Sequence, residues 1–172
     1  VRIAAGNLAN PGGQIQGLTG LTLAASGAVD NRGGRIFANT TIRVDAASAD
    51  NTDGHVEAGE TLTVRSAGAI DNTRGSLASG GALSLEAGRL GNTGGDIQSA
   101  GGALTLAVAG AFQNSQGRLF SAADLHVSAA DLANSGTLYS QGRLDIQTSG
   151  ALSNTAILAA RGSFSLEAAS VI

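Results

Sequence analysis

Apolar and polar residues alternate along Ala82–Ala87 (ALSLEA) and Thr61–Ser66 (TLTVRS). Period two is the pattern of a strand with one buried face. The same pairs return along the whole chain: Leu21/Leu23, Ile42/Val44, Leu62/Val64, Leu83/Leu85, Leu104/Leu106, Leu125/Val127, Leu144/Ile146 and Phe164/Leu166. Between them lie Gly, Ser, Asn and Asp, which form turns. Ala is plentiful, but glycines break every helical window and no stripe at three-four spacing persists. The pattern predicts strands and turns with very little helix.

The strands belong to a repeat. Asn10, Asn31, Asn51, Asn72, Asn92, Asn114, Asn134 and Asn154 follow one another at spacings of 21, 20, 21, 20, 22, 20 and 20. Two places before each stands Leu8, Val29, Ala49, Ile70, Leu90, Phe112, Leu132 or Leu152. Five places after the first six stand Ile15, Ile36, Val56, Leu77, Ile97 and Leu119, while two shortened units use Leu138 and Leu158. A unit of this size with three short strands has too little surface to bury its own apolar face, but stacked copies bury each other's. The expected fold is all-β: a solenoid of about eight coils, strands on three faces, roughly 4.8 Å per coil and on the order of 40 Å long.

The asparagine two places after an inward residue also points inward, at a corner. A buried amide needs partners for two donors and an acceptor. Stacked asparagines can supply them to one another and to turn backbone. The Gly three places on, as in DNRGGRI and DNTDGHV, is expected to supply a backbone angle closed to other residues. The corner is therefore read as architecture, not as a ligand site.

The consensus G-x-L-x-N-x-x-G-x-I-x-A/S-x-G-x-L-x-L-x-A resembles the haemagglutinin repeat of filamentous-haemagglutinin-like exoproteins, a group that includes contact-dependent growth inhibition toxins of Gram-negative bacteria. The likeness covers essentially the whole chain. It implies a right-handed parallel β-helix, two-partner secretion through an outer-membrane transporter, and a filament on the bacterial cell surface. It also implies that residues 1–172 are one β-helical segment of a longer protein. The corners NSGTL and NTAIL are a residue shorter, so a uniform cross-section is not expected there.

Composition fits this picture. There is no Cys, Met, Trp or Lys, and the ten basic residues are all Arg. The absent Met suggests a fragment or processed segment, and no signal peptide is visible at the start. Without Cys there is no disulfide and no thiolate metal site. No apolar run is long enough to insert in a membrane. A net charge of -3 and a pI near 5.2 argue against nucleic acid.

Candidate chemistry is sparse, and no catalytic residue, cofactor or metal is expected. Asp30, Asp50 and Asp71 should stack on the outer face. A cation could relieve their repulsion, but neutralisation by Arg32, Arg35 and Arg74 is the preferred reading. Asp45, Arg65 and Glu86 should form a charge ladder. His55 and His126 lie in different columns. Asn39 matches a glycosylation sequon, read as chance. Phe112 and Phe164 are expected in the core, with Phe37, Phe120 and Tyr139 outward. Phe120 and Tyr139, in successive coils, are the possible surface contact. Their expected role is mutual stacking. The leading function is a structural shaft that presents a distal binding or toxin domain. The alternative is an adhesin segment whose side wall binds a host or target-cell glycan or protein receptor.

Overall fold

A computed structural model describes residues 1–172. The chain forms twenty strands and no helix. The first coils each contain three strands: β1 (Arg2–Ala5), β2 (Leu8–Ala9) and β3 (Gln14–Gly17), then β4 (Leu21–Ala25), β5 (Ala28–Asp30) and β6 (Arg35–Ala38), then β7 (Thr41–Ala46), β8 (Ser48–Asp50) and β9 (His55–Ala58). From β10 (Thr61–Asp71) onward the first two strands of a coil fuse into one long strand. The three-face expectation is thus refined. Two faces are one sheet that bends, and the third, from β3 and β6 onward, is a separate sheet of eight parallel strands.

The bend has a local cause. Along the fused strands the pairing register shifts between Ser66 and Ala69, Ala87 and Leu90, Val108 and Ala111, Ala129 and Leu132, and Thr148 and Ala151. Such irregularities bend a strand and increase its twist. Small side chains line the concave side of this bend in successive coils: Ala46, Ala67, Ala87, Gly88, Ala109 and Ala130 among them.

All strand pairs are parallel and stack like upon like. Leu21 pairs with Ile42, then Leu62, Leu83, Leu104, Leu125 and Leu144 in unbroken register. Thirty-three buried apolar residues form one continuous core along the axis. Fully buried aliphatic side chains are each worth about 1.5–3 kcal/mol relative to exposure, so this column holds the coils together. Phe112 is completely buried in it. Phe164 is not: it is 49% exposed, because it stacks on Leu144 on one side only. No connection between strands exceeds four residues, as at Asn10–Gly13 and Asn31–Gly34.

Candidate functional site

The asparagine corners turn tightly, and in the first five a backbone hydrogen bond closes the turn. The Gly13, Gly34, Gly54 and Gly75 N–H groups donate to the carbonyls of Asn10, Asn31, Asn51 and Asn72 at 2.9–3.1 Å. The third residue of these turns takes a left-handed conformation: Gly12, Gly33, Asp53, Arg74, Gly94 and Gln116, with φ between 53° and 64°. In the first turn Pro11 presets the second position and Gly12 suits the third, the signature of a type II turn.

This corrects the expected role of the Gly that follows. Gly34, Gly54, Gly75, Gly95 and Gly117 do not have positive φ. They are required because the chain passes too close to its neighbours. A Cβ on any of them would overlap the backbone carbonyl oxygen of the preceding coil's asparagine and crowd both ladder amides. In the shortened seventh corner Gly136 moves one place nearer to Asn134, and a Cβ there would overlap the Gly117 carbonyl oxygen. Neither shortened corner contains a left-handed residue. Strand pairing nevertheless continues through both, from Leu119 to Leu138 to Leu158.

The left-handed position is costly for a side chain with a Cβ, by about 1–2 kcal/mol. Asp53 and Arg74 offset part of that cost by pairing across coils, with Arg74 Nε and Nη2 both donating to Asp53 at 2.7 Å. Gln116 makes no such bond. Gln116→Gly is therefore expected to raise stability by about 1 kcal/mol, seen as a higher denaturation midpoint. An unchanged or lower midpoint would show that the Gln116 corner carries no strain.

The amide groups form one column. Nδ2 of Asn10 donates to Oδ1 of Asn31, and the same bond repeats to Asn51, Asn72, Asn92, Asn114, Asn134 and Asn154, each at 2.7–2.9 Å. The second amide hydrogen turns to backbone. Asn72 Nδ2 lies 3.2 Å from the Gly75 carbonyl of its own turn and 3.3 Å from the Asp96 carbonyl of the next coil. Asn72, Asn92 and Asn114 are wholly buried, and Asn154, at the last rung, is half-buried. A polar group taken from water needs such partners, because an unmet one costs about 1–3 kcal/mol.

A second corner carries a column that the sequence reading did not assign. Ser79, Ser99, Ser121 and Ser140 are buried, and their hydroxyls donate to turn carbonyls. Ser121 Oγ reaches Gly102 at 3.2 Å and Asp124 at 2.8 Å; Ser140 Oγ reaches Ala123 at 2.7 Å and Arg143 at 2.9 Å. The available signal was the change from Ala38 and Ala58 to Ser at one position in four successive coils.

The acidic column is in register, Asp30 opposite Asp50 and Asp50 opposite Asp71. Each carboxylate also caps its own turn. Asp30, Asp50 and Asp71 accept from the backbone N–H of Arg32, Thr52 and Thr73 at 2.9–3.1 Å. Arg32 is the one arginine within ion-pair distance of the column, at 2.6 Å from Asp30 and 3.7 Å from Asp50, while Arg74 acts on Asp71 from farther away. Arg35 reaches Glu57 instead and Arg74 reaches Asp53, because those carboxylates lie within their span. The hydrogen bonds from the Arg32 side chain and backbone hold the Asp30 carboxyl below the usual carboxylate range. The Arg74 guanidinium does the same to Asp53. No three His, Asp or Glu side chains converge in a metal-like group.

Two other expectations change in detail. Arg65 bridges Glu86 at 3.0 Å, but Asp45 is taken by Arg43 in its own strand at 2.7 Å. The three-member charge ladder is therefore a pair. His55 and His126 lie in different sheets. His126 Nδ1 sits 3.1 Å from Asp145 Oδ2 in the next coil, and Arg143 Nη2 lies 3.3 Å from Asp145 Oδ1.

Phe120 and Tyr139 stand opposite each other on the separate sheet. Their ring centroids are 5.9 Å apart with planes 19° from parallel. The Arg118 guanidinium lies 4.9 Å from the Phe120 ring centre and pairs with Asp96 at 3.0 Å. Phe37 has no ring neighbour; Gln16 and Glu57 flank it and Arg35 lies over it at 5.6 Å.

Comparison with known families matches the haemagglutinin repeat at residues 1–74, 69–116 and 115–172. Comparisons with curated proteins and with solved structures return no match. The matched intervals span the chain from end to end, and the stacked coils are the repeat made solid. The chain belongs to the haemagglutinin-repeat family.

Proposed function

We propose that residues 1–172 are a single shaft segment of a secreted, filamentous exoprotein on the bacterial cell surface, and that the shaft presents a distal binding or toxin domain. The observation that carries this reading is uniformity. Coils stack residue upon residue, and no connection exceeds four residues. Binding and catalytic residues tend to sit on loops held by a scaffold. This scaffold carries none of appreciable length, so the reading is non-enzymatic. Haemagglutinin-repeat proteins are typically secreted or surface-exposed. Export proceeds through an outer-membrane two-partner-secretion transporter, and a chain without Cys reaches it free of disulfide-closed loops.

The test shortens the shaft in the whole exoprotein. Deleting residues 32–114 joins Asn31 to Ser115 and keeps an intact corner, removing four coils or about 20 Å of rod. The expected result is normal export, a shorter filament by electron microscopy, and retained target-cell binding or toxicity. Normal export with that activity lost would move function into the deleted coils.

The adhesin alternative rests on Phe120 and Tyr139. Their near-parallel rings cover one another, and the pair is smaller than the several hundred Å² that marks most interaction surfaces. Replacing both by Ser should lower stability by about 0.5–1.5 kcal/mol for the lost pair, with attachment to cells or glycans unchanged. Lost attachment at unchanged melting temperature would make this wall the binding surface.

A further inference from the structure

We draw no further inference here: the strongest candidate, the trough of small side chains that runs along the concave bend of the larger sheet from Ala4 to Thr148, holds no unpartnered buried polar group and nothing in the structure shows what covers it.

Discussion

Gly95→Ala is expected to cost about 3 kcal/mol, while Gly94→Ala, one residue earlier, costs about 1–2 kcal/mol. The two glycines are needed for unrelated reasons. Gly94 has φ 62°, and its added Cβ would meet only the Arg74 side chain at an ordinary 3.6 Å. The penalty there is conformational. At Gly95 the added carbon falls on the Asn72 carbonyl oxygen and against the Asn92 and Asn72 amides. Relief requires that two coils separate at the corner, which strains the backbone pairing on both sides. Chemical denaturation of both variants decides the matter. If Gly94→Ala proves the more damaging, close approach is not what fixes glycine at the following position.

Asn72→Ala comes next in size, at about 1–3 kcal/mol. The side chain is fully buried, accepts from Asn51 and donates to Asn92, each at 2.8 Å. Its loss leaves the Asn92 oxygen without its donor and deprives Asn51 of its best acceptor. Asn39 is the control, since it is exposed and outside the column. Asn39→Ala should leave the denaturation midpoint within about 0.5 kcal/mol of the parent. Equal midpoints for the two variants would remove any special role for the stacked amides.

The repeat was legible because a constraint met in every coil writes the same residue eight times. Alternation identified the inward positions, and coil spacing gave the stacking. Repetition does not say which constraint is at work, however. Gly95 and its equivalents recur in the sequence as they would for either a special φ or a crowded backbone. Only the neighbouring coil's carbonyl distinguishes the two. Fusion of the first two strands in later coils depends on a register shift at Ser66–Ala69 and its equivalents, where side chains are small and alternation fades. The serine column was hidden because Ala and Ser fill similar volumes, and only the turn carbonyls give the hydroxyl a purpose. Arginine partners were the least legible. A long side chain can reach carboxylates in its own strand or in the next coil, so Arg43 takes Asp45 and Arg65 is left with Glu86. Phe164 keeps the inward register opposite Leu144, and its exposure reflects a rung covered on one side only.

The short connections of this solenoid have a mechanical side. Backbone hydrogen bonds between coils run along the rod, and one chain winds through every coil in turn. Tension between the two ends therefore loads the outermost coil before those behind it. A coil of 20 residues adds roughly 4.8 Å to the folded rod but, once peeled away, spans roughly 66–72 Å of extended chain. Each detachment lengthens the tether by more than ten times the coil's own height and leaves the remaining stack intact. A filament built this way is stiff under small loads. Under a sudden large load it is expected to yield by discrete, nearly equal increments, one coil at a time, while the rest of the stack stays whole.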